Sequence, residues 1–195
     1  MSDPKDRFAQ ELAGGELEAL TDAWSEALSA RPVEAPSPGR RAALLAATQE
    51  AHRFEELVAP VAEAADLSED AVAALLRAID DPARWAAGPA PGVDLLHFEG
   101  GPKTARAITG FVRVAPGGAF PEHGHAGAER VVVLQGALRD SRTGEVHGRG
   151  AVLDAGPEQE HAVEVVSPIP LVYLAVVQEG VRIGGELIAY DDPRA

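Results

Sequence analysis

The chain has 195 residues, of which 46% are hydrophobic and 25% are charged, and it carries a formal net charge of −14. This composition is typical of a globular protein, and the negative charge disfavours direct binding to the phosphate backbone of a nucleic acid. The chain contains no cysteine, which excludes disulfides, thiolate metal ligands and thiol nucleophiles.

No apolar run approaches the ~20 residues that a membrane-spanning helix needs. The first residues, from Met1 to Leu12, lack the apolar core of a signal peptide. We therefore expect a cytoplasmic protein that makes no contact with a membrane, and the absence of cysteine agrees with that location.

The N-terminal region, residues 1–90, is predicted to consist of short helices. Apolar residues recur at three- and four-residue spacing between residues 6 and 29, which places them on one face of a helix. A proline-rich linker follows over residues 30–39, and a second helix over residues 40–52. The apolar face of the first helix consists of Leu17, Leu20, Trp24 and Leu28.

Two more helices are predicted before residue 90. Pro60 should start or kink the first of them, because proline cannot occupy a helix interior without losing a hydrogen bond. Ser68 is the predicted N-cap of the second, and Asp80-Asp81-Pro82 should end it, with Trp85 packing back against the helices. Its apolar stripe consists of Val72, Leu75, Leu76 and Ile79.

The pattern changes after the segment GPAPG at residues 88–92. From there to residue 195 the chain contains short segments that are rich in β-branched residues and separated by Gly, Pro, Asp or Ser turns, which is typical of an antiparallel sandwich or barrel. The predicted fold class is therefore α+β, mainly β, with a β-domain over residues 91–195. The predicted strand segments are 92–98, 105–114, 129–140, 144–148, 151–155, 161–167, 170–178 and 185–190.

One group of side chains indicates a metal site. His123 and His125 are two residues apart, so on a strand they lie on the same face, whereas Glu122 lies on the other. Glu129 follows after a short Ala-Gly-Ala link that allows its carboxylate to turn back towards that face, and His161 supplies a third imidazole. These mixed nitrogen and oxygen donors are predicted to bind one divalent transition metal ion, namely zinc, iron, manganese or nickel.

The spacing of the first three ligands resembles the first motif of the cupin superfamily, G(X)5HXH(X)3–4E(X)6G. Gly117 and Gly136 fill its two glycine positions. The resemblance implies a small jelly-roll β-barrel with the metal held inside by His123, His125, Glu129 and His161, and it implies a homodimer.

The second cupin motif is matched in part. Gly150 and His161 stand at its usual separation, but Gly156-Pro157-Glu158 replaces its Pro-X-Gly turn and Val165 stands where asparagine is usual. His52, His97 and His147 belong to neither motif, and we expect no functional role for them.

Within the superfamily, the sequence around the motifs is similar to that of the cupin part of ChrR-type anti-sigma factors. The matching segments are Asp80-Asp81-Pro82 with Trp85, Pro91-Gly92-Val93, Glu99-Gly100-Gly101-Pro102, Gly110-Phe111-Val112-Arg113 and Val181-Arg182-Ile183-Gly184-Gly185. Such proteins join a helical sigma-binding domain to a metal-binding cupin that senses oxidative stress. The resemblance implies a regulatory protein with a sigma factor as its partner. The class also holds zinc in its helical domain through histidine and cysteine, whereas the helical region here has His52 and no cysteine.

Two other functions fit the same residues. The first is a metal-dependent dioxygenase that acts on a small carbonyl or aromatic compound, with Tyr173, Arg106 and Arg113 as the available acid–base groups and no catalytic residue assigned. The second is a dimerising scaffold with a structural metal. A small-molecule ligand is compatible with the first function and with regulation, because the residues expected to line the barrel are apolar, namely Val131, Val133, Val163, Val165, Leu171 and Ala175.

Overall fold

The computed structural model describes residues 16–29, 37, 39–40, 53–157 and 159–193. The chain divides into two compact units, Met1–Gln49 and Glu50–Ala195. The first unit contains helix α1 (Glu16–Ser29), where the sequence predicts a helix, and Trp24 on this helix is 67% exposed. The other parts of the predicted N-terminal helices, residues 6–15 and 41–52, lie outside the described residues.

The second unit begins with helices α2 (Val58–Ala65) and α3 (Glu69–Ala78). Pro60 lies in the first turn of α2, where the missing N–H removes no helical hydrogen bond, so the prediction that it starts an element is confirmed. Ser68 caps α3 as predicted, because its Oγ accepts a hydrogen bond from the backbone N–H of Ala71 at 3.3 Å. None of the described helices is long and apolar enough to cross a membrane.

The strands of the described residues form two antiparallel six-stranded sheets. Sheet A has the order β1-β2-β3-β10-β5-β8, and sheet B has the order β12-β11-β4-β9-β6-β7. In chain order they are β1 (Ala86–Ala87), β2 (Val93–His97), β3 (Ala107–Val114), β4 (Ala119–His125), β5 (Glu129–Gln135), β6 (Ala137–Asp140), β7 (Val146–Gly148), β8 (Val152–Ala155), β9 (His161–Val165), β10 (Leu171–Gln178), β11 (Gly180–Ile183) and β12 (Glu186–Ala189).

The predicted strand segment 129–140 is divided between the two sheets. Gly136 stands at the corner where the chain leaves β5 of sheet A and enters β6 of sheet B, and its φ is +76°. A Cβ at this position would lie 2.7 Å from the Ser167 side chain, so the corner requires glycine both for its backbone conformation and for its close contact.

The central strands of sheet A are buried on both faces, as the alternating side chains of strand β10 show. Leu171 and Tyr173 point into the space between the sheets, whereas Val172 and Leu174 point outwards to helices α2 and α3. A strand covered on both sides has no polar face, which explains the uninterrupted apolar run in its sequence. The side chains predicted to line the barrel all lie in or against the cluster between the sheets, as predicted: Val131, Val133, Val163, Val165, Leu171 and Ala175.

The mainly β fold with a preceding helical segment is therefore confirmed. Trp85 packs back against the helices as predicted, and its Nε1 donates a hydrogen bond to the Ile79 carbonyl oxygen at 3.0 Å. Helices α2 and α3 share their core with sheet A. The division into a helical region, residues 1–90, and a separate β-domain, residues 91–195, stays a prediction.

The packing of α3 on sheet A can be tested by shortening a side chain in that core. Leu76 is fully buried between the helices and the sheet. Leu76→Ala should lower the free energy of unfolding by about 2–5 kcal/mol, because it removes buried methyl groups and leaves a cavity. Chemical denaturation followed by circular dichroism measures this loss. Leu187→Ala on β12, where the leucine is 45% exposed, is the matched control and should change stability by about 0.5 kcal/mol or less. Equal stability of the two variants would show that α3 does not pack on the sheet.

Candidate metal centre

The four predicted ligands come from both sheets. His123 and His125 lie on β4, and His161 lies directly opposite His123 on the neighbouring strand β9 of sheet B. Glu129 is the first residue of β5 in sheet A, where it pairs with Val177 of β10. The structure therefore brings together side chains that three strands supply, and the centre joins the two sheets.

The link between β4 and β5 passes close to the end of β10. The backbone N–H of Gln178 donates to the Ala128 carbonyl oxygen, and that of Ala126 donates to the Gly180 carbonyl oxygen. A Cβ on Gly127 would lie 2.8 Å from both the Cβ and the carbonyl oxygen of Gln178, so only glycine fits here. This tight crossing returns Glu129 to the face that carries the histidines.

The four side chains are buried and close together. His125 is fully buried, and the other three are 5–8% exposed. One ligand atom from each side chain lies within 4.8 Å of all the others, and the imidazole centroids are 4.6–5.2 Å apart. Glu129 Oε2 lies 3.1 Å from His125 Nε2 and 3.4 Å from His161 Nε2.

These distances and the free ring nitrogens fit a divalent cation. Two donors bonded to one ion at ~2.0–2.2 Å lie at most ~4.4 Å apart, so the widest pair, which is up to 4.8 Å apart, has to close by at least ~0.4 Å when an ion binds. Both nitrogens of His125 and Nε2 of His161 are buried without an aligned hydrogen bond to any described residue, although Glu129 is near. A buried polar atom without a partner costs about 1–3 kcal/mol, and a bound cation would remove that cost. This group could therefore hold a metal ion.

The protonation states favour cation binding at the carboxylate. Burial raises the pKa of the Glu129 carboxyl, but the imidazoles of His125 and His161 outweigh this effect and lower the pKa to about 2. Glu129 is therefore ionised at neutral pH. Burial also lowers the pKa of His123 below its usual value, and this keeps its ring in the neutral form that binds metals.

Two of the imidazoles have a partner for the nitrogen that faces away from the centre. Nδ1 of His123 lies 2.9 Å from the Pro121 carbonyl oxygen, and Nδ1 of His161 lies 3.3 Å from Oδ2 of Asp140. Each contact holds the ring with its Nε2 free to bind a cation. Burial lowers the pKa of His161, but Glu129 and Asp140 outweigh it and raise the pKa above the ordinary value.

Sequence reasoning missed Asp140. This residue is buried at the end of β6, just before the hairpin over residues 141–144, and its Oδ1 also accepts a hydrogen bond from the backbone N–H of Arg142 at 2.8 Å. An aspartate before a turn is ordinarily a turn residue. The available signal was its position two residues after Leu138, because residues i and i+2 of a strand share a face and Leu138 faces the barrel.

Two cavities meet at the centre. The first, which we call the apolar cavity, has a volume of about 240 Å³ and reaches His123, Glu129 and Tyr173. The second, which we call the polar cavity, has a volume of about 160 Å³ and reaches His161, Glu129 and Tyr173 from the other side. The polar cavity is lined by charged groups that include Asp140, Arg142, Glu145 and Asp154.

The remaining candidates lie away from the four ligands. Arg106 pairs with Glu179, and Arg113 pairs with Asp94 at 2.8 Å, so neither guanidinium faces the apolar or the polar cavity. Of the three acid–base candidates, Tyr173 alone faces the centre. Glu122 is exposed as predicted, His97 lines the apolar cavity and His147 lines the polar cavity, whereas His52 lies outside the described residues.

Comparison with known proteins identifies a matching protein family and a similar protein. Residues 76–179 match the family model described as the ChrR cupin-like domain. The chain is similar to the anti-sigma-E factor ChrR of Cereibacter sphaeroides, with 33% identity over 156 residues that cover 68% of this chain and 70% of the relative.

A solved structure shows the same fold. The crystal structure of Rhodobacter sphaeroides SigE in complex with the anti-sigma ChrR matches with a TM-score of 0.50 and 24% identity, over 83% of this chain and 77% of that chain. An acetylacetone dioxygenase from Acinetobacter johnsonii matches with a TM-score of 0.47 and 16% identity, over 56% of this chain and 79% of that chain.

The role of Asp140 can be tested through the zinc affinity. Asp140→Asn should weaken zinc binding by about 10- to 100-fold, the usual effect of losing a carboxylate that orients a ligand histidine. Competition with a chromophoric zinc chelator measures the dissociation constant. Asp154→Asn is the matched control, since Asp154 lines the same polar cavity but pairs with Arg130 at 2.7 Å, and its affinity should equal that of the unmodified chain. An Asp140→Asn variant with unchanged affinity would contradict the role of Asp140.

Proposed function

Because the chain belongs to the ChrR cupin-like family, we propose that it is a regulatory metal-binding protein. In this proposal one divalent transition metal ion is held by His123, His125, Glu129 and His161. The state of the metal centre is communicated to a protein partner of the N-terminal region. The proposal includes a response to oxidative stress, which the resemblance to ChrR-type anti-sigma factors implies.

The observation that carries the proposal is the group of buried ring nitrogens that lack aligned hydrogen bonds around an ionised carboxylate. Three imidazoles and one carboxylate suit zinc, nickel, iron or manganese. Intrinsic affinity favours zinc and nickel over iron and manganese, so metal supply in the cell decides between them. When bound, such an ion supplies an electrophilic centre to which a further oxygen ligand can bind.

The surroundings of the centre support sensing more than acid–base catalysis. Apart from the four proposed ligands, the polar side chains that line the apolar cavity are Tyr173 and, at its rim, His97. General acid–base chemistry needs a titratable group within hydrogen-bond reach of the substrate. Burial raises the pKa of Tyr173 well above its ordinary value, so its hydroxyl stays protonated at neutral pH.

The proposed partner is a sigma factor. One relative is an anti-sigma-E factor, and a similar structure is that of such a factor in complex with SigE. Trp24 is exposed on α1, and an exposed tryptophan is the kind of side chain that anchors a protein interface. Binding of a sigma factor implies a cytoplasmic protein, and a homodimer remains part of the proposal.

A metal-dependent dioxygenase is the second candidate function. The observation in its favour is the apolar cavity, because a small carbonyl or aromatic compound placed there would lie next to His123 and Glu129. Oxygen uptake by the iron-loaded chain with pentane-2,4-dione or catechol would favour this function, and its absence would favour regulation.

The ligand assignment predicts the metal content of three variants. Glu129→Ala and His161→Ala should each lose metal affinity by more than the ~10- to 100-fold loss that is usual for an orienting partner, because each removes a direct donor. His147→Ala is the matched control, since His147 lines the polar cavity without belonging to the four, and it should keep one metal ion per chain. Elemental analysis after equilibration with zinc and desalting measures the occupancy. Equal occupancy in all three variants would falsify the assignment.

The sigma-factor proposal predicts a change at one of the two tryptophans of the chain. In a chain labelled with 5-fluorotryptophan, adding an unlabelled sigma factor of the SigE type should shift the fluorine NMR signal of Trp24. The signal of Trp85 is the internal control and should not move, because its indole is held by Ile79 and Arg113 in the second unit. Trp24→Ala should weaken binding by about 30-fold or more, the effect of losing an interface hot spot. A saturating amount of sigma factor that leaves the Trp24 signal unchanged would contradict the proposal.

A further inference from the structure

The apolar cavity is shaped for a ligand with one polar end. Its walls are made of aliphatic and aromatic side chains from both sheets, and apart from His97 its polar side chains are those of His123, Glu129 and Tyr173. Apolar walls with a few convergent polar groups are the usual features of a small-molecule site. Typical wall residues are Leu95, Ile108, Phe120, Val177 and Ile183.

Tyr173 offers a hydrogen-bond donor to a ligand at the end of the apolar cavity nearest the metal centre. Its side chain is 3% exposed, it lines the cavity beside Glu129, and its hydroxyl makes no hydrogen bond to any described residue. Its hydroxyl is not among the fully buried polar atoms without a partner, so it opens into the cavity and can donate a hydrogen bond there. A ligand oxygen at the inner end of the cavity would accept that hydrogen bond.

The net charge of the metal centre favours a negatively charged ligand oxygen. A divalent ion with one carboxylate and three neutral imidazoles has a net charge of about +1, and no lysine or arginine lines the apolar cavity among the described residues. A single negative charge on the ligand neutralises this centre. Without the metal, Glu129 would instead repel an anion.

We propose that the apolar cavity binds a monocarboxylate with an apolar tail. One carboxylate oxygen lies at the metal centre and the other accepts a hydrogen bond from Tyr173, while the tail lies between Ile108 and Val177. At about 240 Å³, the cavity holds about eight non-hydrogen atoms if each takes about 30 Å³. Hexanoate has this size. This inference rests on the proposed function, because it requires the metal.

His97 marks the outer end of the site. It lies on β2 in register with Gly110, and a Cβ on Gly110 would be 2.9 Å from the His97 ring. The ring therefore occupies the space that Gly110 leaves free, at the rim of the cavity. A tail longer than the cavity would meet this ring, so His97 limits the length of the ligand.

Isothermal titration of hexanoate into the zinc-loaded chain tests the proposal. We expect one hexanoate per chain, and we expect no measurable binding to the metal-free chain. Hexylammonium, which has the same tail and the opposite charge, should not bind to either form. Acetate should bind more weakly than hexanoate, because it leaves the apolar walls uncovered.

Tyr173→Phe should weaken hexanoate binding to the zinc-loaded chain by about 10- to 100-fold, the usual cost of losing a hydrogen bond to a charged group. Tyr190→Phe is the matched control, because Tyr190 lies beside Arg106 away from the apolar cavity, and this variant should bind as the unmodified chain does. Ala175→Leu fills the cavity and should abolish hexanoate binding while one zinc ion per chain is retained.

Zinc titration of the same samples separates the two possible failures. A chain that binds one zinc ion and no hexanoate, or that loses no affinity in Tyr173→Phe, would overturn the inference and leave the metal centre intact. A chain that binds no zinc would overturn the proposed function and this inference together.

Discussion

Glu129 places a buried negative charge at the point where the two sheets meet. It is the first residue of a strand in sheet A, yet its carboxylate lies among three imidazoles that belong to sheet B. An ionised carboxylate buried at this depth is costly unless positive charge or aligned donors surround it. The ring nitrogens near it lack aligned hydrogen bonds, so a shared cation is the simplest way to stabilise the carboxylate and the imidazoles together. A bound ion would therefore link the two sheets as well as supply a chemical centre.

The same sheet connects the centre with the helices. Glu129 lies on β5, whose Val131 and Val133 face the barrel while Val132 and Leu134 face the core shared with α2 and α3. Arg149, in the turn after β7, donates a hydrogen bond to Glu56 just before α2 at 2.9 Å and another to the Leu134 carbonyl oxygen at 3.0 Å. A change at the metal centre would thus act on a strand that is packed directly against helices. This arrangement suits a regulatory protein, and it leaves the apolar cavity free for a ligand.

Much of this architecture could be predicted from local sequence. The two-residue spacing of His123 and His125 and the short link to Glu129 fix which side chains share a face, and the structure brings both together with His161. Contacts between distant segments were harder to predict. Asp140 on β6 reaches His161 on the neighbouring strand β9, and its position just before a turn gives it the pattern of an ordinary turn residue despite its spacing from Leu138. The packing of α2 and α3 on sheet A was indicated only by the unbroken apolar runs of strands β5 and β10. Strand β11 has four residues between Glu179 and Gly184, both with positive φ, and such a short segment has no distinct periodicity.

X-ray absorption spectroscopy of the zinc-loaded chain tests whether the four proposed ligands bind one ion, because it counts the donors around the ion. We expect three imidazole nitrogens and at least one carboxylate oxygen at ~2.0–2.2 Å from the zinc ion, with no sulfur. The imidazole contribution should decrease by one ring in His161→Ala and stay the same in His147→Ala. A spectrum with fewer than three imidazoles, or one that His161→Ala leaves unchanged, would contradict the account.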